Sequence, residues 1–206
     1  MIFNSLKTLT IPEGDVKQIS VNNMVLWQKP TGIVFLDYLQ FNADMVFDTN
    51  IVCNQNTKIE IEFTRKDSGS RYLYGVRSSG NTASVTAYLA TSGAWRFGNT
   101  YRNFTLSQGV SNVHSMTVSK DGYLSDGKKY NFISTLKSFT ANATLTLGSA
   151  RTADGAYSSP TFIGKVYSFK MYDNDTLILD WQPCIVNNKY GFFDKVKQVF
   201  IEPISL

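Results

Sequence analysis

In the stretch Lys58-Ile-Glu-Ile-Glu-Phe63, apolar side chains alternate strictly with charged ones. Successive side chains of a β-strand point to opposite faces, so this period of two predicts a strand with one buried and one solvated face. No window of comparable length has the periodicity of a helix. The stretch therefore favours an all-β fold.

A second stretch, Gly164-Lys-Val-Tyr-Ser-Phe-Lys-Met-Tyr172, departs from strict alternation. Val166 and Phe169 are three positions apart, whereas Phe169 and Met171 are two apart. One inserted residue near Tyr167-Ser168, a β-bulge, would bring all three apolar side chains to the inner face. The sequence therefore predicts a bulged central strand.

Further short β-rich runs are separated by Gly, Asn, Asp and Ser. They are Tyr38–Phe41, Tyr72–Val76, Ser84–Leu89, Ala94–Phe97, Val113–Val118 and Leu145–Leu147, and Leu177, Leu179 and Trp181 alternate on a strand after the turn Asp173-Asn174-Asp175. Many short strands with regular turn signals are typical of a β-sandwich or jelly roll. We therefore predict a two-sheet antiparallel sandwich.

The first thirty residues form a separate pattern of short strands, which ends at the linker Lys29-Pro30-Thr31-Gly32. The strands are expected at 6–11, 16–21 and 24–27. Their apolar side chains Ile19, Val21, Val25, Leu26 and Trp27 exceed what a solvent-facing leader should carry. We therefore predict a small N-terminal β attachment module at 1–30 and a jelly-roll domain at 33–206.

Composition narrows the classes of partner. Charged residues make up 17% of the 206 residues, and the net charge of +4 is spread without a basic run or stripe, which argues against nucleic acid. No run approaches the ~20 apolar residues of a membrane span, and the N-terminus does not resemble a signal peptide. Cys53 and Cys184 are expected to be buried free thiols, with a single bridge between them as the alternative.

Several motifs together resemble laminin-G-like, concanavalin A-like jelly rolls of phage and prophage structural proteins. The resemblance covers residues 33–202 and rests on Tyr38–Phe41, His114–Val118 with Asp121-Gly122, Leu145–Gly148, Gly164–Tyr172 and the tail Asp180–Cys184 with Gly191–Asp194 and Val199-Phe200. It implies a two-sheet jelly roll, carbohydrate or protein binding by loops or the concave sheet, and in some members calcium at a rim.

Catalytic patterns are incomplete. The hydrolases of this fold class carry an E-x-D-x-E strand, whereas this chain offers only Glu60-Ile-Glu62 followed by Thr64, so a solvated strand face is expected there. The single histidine, His114, lies within a strand and has no nucleophile elbow beside it, so a structural role is expected. We predict that the protein is not an enzyme.

Two loop segments carry oxygen donors of the kind that calcium prefers. They are Asp173-Asn174-Asp175 and the region of Asp154 near Tyr157. Asp173 and Asp175 are the candidate calcium ligands, although a bare Asp-Asn-Asp more often forms a turn. No other cofactor is predicted.

The strongest binding signal is aromatic. Tyr72 and Tyr74 should share one strand face, and Trp95 and Phe97 another. Flat aromatic rings stack on the apolar faces of sugars, while Arg and Asn donate hydrogen bonds. The candidate ligand-binding residues are Tyr74, Tyr88, Trp95, Arg96 and Tyr101.

These observations predict a non-catalytic binding or structural protein. The resemblance implies a homo-oligomer on the surface of a phage particle, made in the bacterial cytoplasm without a signal peptide. Its partners would be a neutral glycan or host cell surface and, through residues 1–30, other virion proteins. The alternatives are a glycoside hydrolase of the concanavalin A-like class and an architectural virion protein without a ligand.

Overall fold

The structure, a computed structural model, describes residues 18–21, 24–28, 32–90, 93–104 and 112–205. Contacts within the chain divide it into two compact units, Met1–Ile33 and Val34–Leu206. The smaller unit contains a hairpin of two short strands, and the larger one contains two sheets. Among the described residues, no helix is long and apolar enough to span a membrane.

The regular secondary structure of the described residues consists of strands and one short 3-10 turn at Ser79–Asn81. The strands are β1 (Gln18–Val21), β2 (Met24–Gln28), β3 (Ile33–Phe35), β4 (Leu39–Phe41), β5 (Met45–Asn54), β6 (Thr57–Arg65), β7 (Arg71–Arg77), β8 (Ser84–Leu89), β9 (Gly93–Gly98), β10 (Thr100–Phe104), β11 (His114–Ser119), β12 (Gly122–Ser125), β13 (Lys128–Tyr130), β14 (Thr140–Leu147), β15 (Ala150–Thr152), β16 (Tyr157–Ser158), β17 (Gly164–Asp173), β18 (Thr176–Val186), β19 (Lys189–Asp194), β20 (Val199–Ile201) and β21 (Ile204–Ser205).

The larger unit is built from two sheets. Sheet I has the order β10-β9-β8-β7-β14-β5-β21, with β15 and β16 attached beside β7. Sheet II has the order β13-β12-β11-β6-β17-β18-β19-β20, with β3 paired to β18 and β4 to β17. The pairing is antiparallel along both paths, and β15 lies parallel to β7.

One hydrophobic core joins the inner faces of sheets I and II. Aromatic rings meet across it: Tyr74 of sheet I lies 6.3 Å from Phe169 of sheet II, and Phe47 lies 6.1 Å from Trp181, measured between ring centroids. Burying two inner faces against each other is how sheets of this kind become stable. The predicted fold class, a two-sheet antiparallel jelly-roll sandwich, is confirmed.

Strands β6 and β17, which contain the two stretches that predicted the fold, pair with each other near the middle of sheet II. Val166 lies opposite Phe63 and Ser168 opposite Glu62, which leaves Tyr167 as the extra residue of a bulge. Val166, Phe169 and Met171 are all fully buried. The predicted bulge is confirmed, and it resolves the irregular spacing of the apolar residues.

A second register shift, in β18, corrects the predicted facing of Leu177. Tyr172 pairs with Leu177, whereas Met171 pairs with Leu179, so Ile178 is the extra residue. Leu179 is buried, but Leu177 is 37% exposed. The sequence predicted that Leu177 would share the inner face with Leu179 and Trp181, and the bulge reverses its direction.

In the smaller unit, β1 and β2 pair antiparallel, with a register shift between Ile19 and Ser20. The expected strand at 6–11 and the side chains of the predicted apolar set, Ile19 to Trp27, lie outside the described residues. In the larger unit, Cys53 and Cys184 are buried free thiols.

Candidate functional site

Strand register brings three of the five predicted ligand-binding residues to the outer face of sheet I. Arg96 lies opposite Thr86 on one side and Tyr101 on the other, and Tyr88 lies opposite Tyr72. Directly opposed residues of antiparallel strands project from the same face. We call Tyr72, Arg77, Tyr88, Arg96 and Tyr101 the tyrosine–arginine face.

A shallow pocket of about 170 Å³ lies in this face. Its floor is made by the small side chains of Thr86 and Ala94, and larger neighbours form the walls. The walls are Tyr72, Arg77, Tyr88 and Arg96. The volume is below the ~300 Å³ of a typical small-molecule site, so the pocket suits one ring of a larger ligand rather than a whole cofactor.

The walls are held in place by contacts among themselves. The rings of Tyr72 and Tyr88 lie 4.8 Å apart, and the Arg77 Nη1 donates a hydrogen bond to the Tyr72 hydroxyl at 3.1 Å. The Arg96 guanidinium lies 5.6 Å from the Tyr101 ring centroid, within cation–π range. Neither arginine forms an ion pair with another residue that the structure describes, so both keep donors for a ligand.

Two predicted ligand-binding residues, Tyr74 and Trp95, belong instead to the core and require a correction. Tyr74 is 2% exposed and Trp95 is 1% exposed. Burial raises the pKa of the Tyr74 hydroxyl far above its ordinary value. Neither side chain can contact a ligand on the outer face.

The reason for the first error is a bulge in β7. Tyr72 pairs with Tyr88 and Tyr74 pairs with Ala87, so Leu73 is the extra residue and the two tyrosines point to opposite faces. The prediction that Tyr72 and Tyr74 share a face was therefore wrong. Trp95 and Phe97 do share a face, but it is the inner one.

Sequence reasoning missed Arg77 and Thr86, because their place in the pocket depends on the order of the strands. Thr86 and Arg96 face outward from β8 and β9, and Arg77 is the last residue of β7. A placement of the strands in their correct order would have revealed the small residues of the floor. That order depends on long-range pairing, which a local pattern does not contain.

The carboxylates Glu60 and Glu62 lie on the solvated outer face of sheet II. Glu60 Oε1 pairs with Lys58 Nζ at 2.9 Å, and its Oε2 accepts a hydrogen bond from the Tyr172 hydroxyl at 2.9 Å. Partial burial, with the hydrogen bond to Glu60, raises the pKa of Tyr172 to about 12. Glu60 is thus tied into surface contacts, as a structural role on a solvated strand face requires.

His114 is fully buried against Phe63. Its Nδ1 lies 2.9 Å from Asp126 Oδ2, and Asp126 Oδ1 accepts the backbone N–H of Ser115 at 2.9 Å. The pair therefore links β11 to the turn that follows β12. This contact explains the histidine as a structural residue.

The candidate calcium ligands Asp173 and Asp175 lie in a tight turn between β17 and β18. Asn174 and Asp175 have φ values of 47° and 63°, as a two-residue hairpin turn of type I′ requires. Asp173 Oδ1 accepts a hydrogen bond from Asn54 Nδ2 at 3.3 Å. Among the described residues no group of three or more His, Cys, Asp or Glu side chains converges to hold a metal ion, and calcium binding at Asp173 and Asp175 stays a prediction.

The alternative calcium position, Asp154, also serves a turn. Its Oδ1 accepts hydrogen bonds from the Thr152 hydroxyl and the Ala156 N–H. The Thr152 hydroxyl is the main reason that the pKa of Asp154 is lowered. Carboxylate oxygens of Asp154 and Asp173 therefore each accept a hydrogen bond from the protein, and calcium binding at either position stays a prediction.

Comparison with known proteins gave matches among solved structures alone. No family model matches the chain, and no curated protein matches it. Among solved structures the chain is similar to the mouse laminin alpha1 chain, domains LG4-5, at 12% sequence identity and a TM-score of 0.47. The match covers 82% of this chain and 49% of the laminin chain, so this chain spans about half the length of the laminin chain.

The class of protein follows from the fold and from the tyrosine–arginine face. The larger unit is an all-β jelly-roll sandwich with a closed aromatic core and a concave patch of tyrosine and arginine outside it.

Proposed function

We propose that the protein is a non-catalytic binding protein that holds a glycan against the tyrosine–arginine face. The observation that carries this proposal is the pocket in that face, where Thr86 and Ala94 form a low floor between aromatic and guanidinium walls. Isolated surface aromatics would need no explanation, but aromatics ordered around a concavity do.

The chemistry of the walls suits a sugar ring. A pyranose has an apolar C–H face, which can stack on Tyr88 or Tyr101, and a rim of hydroxyls, which accept hydrogen bonds from Arg77 and Arg96. Charged residues make up 17% of the chain and form no basic stripe, and the charged groups that line the pocket are the two guanidinium groups of Arg77 and Arg96. We therefore propose a neutral glycan rather than a polyanion.

The setting that we propose is the surface of a phage-type particle, and it rests on the resemblance of residues 33–202 described above. In this setting residues 1–30 attach the domain to other virion proteins or to further copies of the chain. A single shallow pocket binds weakly, and many copies on one particle would supply the avidity that host attachment needs.

A titration with host cell-wall glycan fragments tests the site. We expect Tyr88→Ala and Arg96→Gln each to weaken binding about tenfold, because each removes one wall of the pocket. Leu177→Ala is the matched control, since Leu177 is exposed on sheet II. Affinity should be nearly unchanged between about 50 mM and 200 mM salt, whereas phosphate-type contacts would weaken steeply.

Three results would contradict the proposal. Unchanged binding in both pocket variants would remove the site from this face. A collapse of affinity with salt would replace the neutral glycan by an anionic ligand. Absence of any glycan binding, together with stoichiometric presence of the protein in purified particles, would favour the architectural role.

A further inference from the structure

Two larger grooves meet at β4, at positions that share no lining residue with the pocket of the tyrosine–arginine face. Their volumes are about 510 Å³ and 540 Å³, and Gln40 and Asn42 line both. Each groove falls within the ~300–1,000 Å³ range of small-molecule sites. Because the same two amides border both grooves, a ligand longer than one ring could occupy them together.

Gln40 is held in a fixed position between the grooves. Its Nε2 donates hydrogen bonds to the carbonyl oxygens of Phe41 at 3.1 Å and Gly164 at 2.9 Å. Both amide protons are thereby used, and Oε1 remains as an acceptor. An exposed glutamine normally samples several rotamers, so this double anchor pre-organises an acceptor at the junction.

Further polar groups around the junction offer both donors and acceptors. The Asn42 amide and the Asp37 carboxylate make no side-chain hydrogen bond or ion pair with any residue in the described part of the chain. In the second groove, Lys66 and Lys165 supply donors. A ligand that donates and accepts hydrogen bonds along its whole length would satisfy this mixture.

Tyrosine rings line both grooves. In the first groove, Tyr190 is 57% exposed and Tyr38 is 38% exposed. Tyr167, the bulged residue of β17, lines the second groove, and its ring centroid lies 5.9 Å from that of Tyr38. The Lys165 ammonium lies 3.9 Å from the Tyr38 ring centroid. The Tyr167 bulge therefore has a second consequence, since it brings an outward aromatic ring to the groove.

We propose that these two grooves form one extended binding site for a neutral oligosaccharide, independent of the tyrosine–arginine face. The rings of Tyr38 and Tyr190 stack on sugar faces, Gln40 Oε1 and Asp37 accept hydroxyl protons, and Asn42 and Lys66 donate to ring and hydroxyl oxygens. A ligand that spanned both grooves would meet the Asp37 carboxylate in the first and the cations Arg65, Lys66 and Lys165 in the second. A neutral chain suits both grooves because it carries no charge that either of them would repel. Two sites on different strands would allow one chain to hold glycan at two points.

Side-chain amide resonances give a direct test with the full chain. We would titrate ¹⁵N-labelled protein with neutral hexasaccharides of N-acetylglucosamine, β-1,4-glucose and α-1,4-glucose. At least one of them should shift the side-chain NH₂ signals of Gln40 and Asn42. Tyr190→Ala should weaken this binding about tenfold, and its backbone spectrum should stay intact because Tyr190 is largely exposed.

Two controls separate this site from the first one. Tyr101→Ala, on the tyrosine–arginine face, and Val113→Ala, exposed away from both sites, should leave the shifts of Gln40 and Asn42 unchanged. Shifts that persist in Tyr88→Ala protein would support the grooves even if the face binds nothing. The proposal is overturned if no neutral hexasaccharide moves the two amide signals at millimolar concentration, if Tyr190→Ala binds like the wild type, or if only a sulfated polysaccharide or an extended peptide moves them.

Discussion

At the scale of single residues, Trp95 is the centre of the aromatic packing between the sheets. Its ring stacks on Phe104 at 4.0 Å and on Tyr123 at 4.9 Å, measured between centroids. Phe104 reaches this position because its cross-strand partner is Gly93, where a Cβ atom would lie 2.4 Å from the Phe104 ring. The indole therefore links β9, β10 and β12 in one stack.

Trp95→Ala should lower the free energy of unfolding by about 3–5 kcal/mol, as large-to-small changes of buried aromatics do. Trp95→Phe should cost less, because a ring remains in the stack. Urea denaturation followed by circular dichroism measures both. A loss below about 1 kcal/mol for Trp95→Ala would mean that the residue is not in the core.

Cys53 is the residue from which a pH dependence follows. Burial, which outweighs a hydrogen bond from Thr57, raises the pKa of its thiol to about 12, and burial raises that of Cys184 to about 11. A pKa that is raised on folding stabilises the fold at pH below the unfolded value of 9.0. That contribution is lost as pH rises through 9 towards 12.

Wild-type protein should therefore become less stable between pH 8 and pH 10, and Cys53→Ala protein should lose less over the same interval. Urea denaturation at the two pH values gives the comparison. Native Cys53 should also resist iodoacetamide at pH 8, because the reactive species is the thiolate. An equal pH effect in both proteins, or rapid labelling of the native thiol, would contradict the assigned burial.

At the scale of the elements, the bulge in β17 makes a prediction that distinguishes it from regular strand. Deletion of Tyr167 leaves Val166 opposite Phe63 and Ser168 opposite Glu62, so the inner face is preserved. Deletion of Glu60 from β6 instead turns the side chains of one half of the strand to the opposite face of the sheet and exposes Ile59.

We expect the Tyr167 deletion to fold cooperatively and the Glu60 deletion to be less stable by at least about 3 kcal/mol, the order of a lost core side chain. Thermal unfolding followed by circular dichroism compares the two. Similar stability in both deletions would show that the register of β17 is not set by the bulge.

Apolar periodicity and turn-like composition explain which strands could be predicted from the sequence. β8 matches its predicted bounds, and β6 and β17 match within two residues at each end, because their apolar periodicity is explicit. β5 was missed, since its interior Asp48-Thr49-Asn50 has the composition of a turn. In the structure Asn50 has φ 56° and its N–H bonds to Asp48 Oδ1 at 2.8 Å, so turn chemistry occurs inside a strand.

The candidate site was predictable only in part for a related reason. Tyr88, Arg96 and Tyr101 were identified from composition and local spacing. Tyr74 and Trp95 could not be separated from them, because β7 to β9 are apolar on one face and aromatic on both. In β7, the face to which a side chain points depends on the bulge at Leu73. Only the pairing of β7 with β8 reveals that bulge.

At the scale of the whole molecule, the division into two compact units supports a truncation experiment. A chain that begins at Thr31 keeps every strand of sheets I and II and the whole described core. It should show an unchanged β-type circular dichroism spectrum and should lose assembly or particle incorporation. Light scattering and particle purification measure this loss, and unfolding of the truncated chain would assign residues 1–30 to the fold of the larger unit.

We propose that the protein binds glycan without transforming it. The most direct measurement incubates wild-type and Glu60→Gln/Glu62→Gln protein with the bound host glycan, then quantifies bound glycan and follows its chain length by mass spectrometry. We expect equal binding by both proteins and a glycan recovered at its original length. Shortened glycan with the wild type, lost in the double variant, would contradict it and identify a glycoside hydrolase.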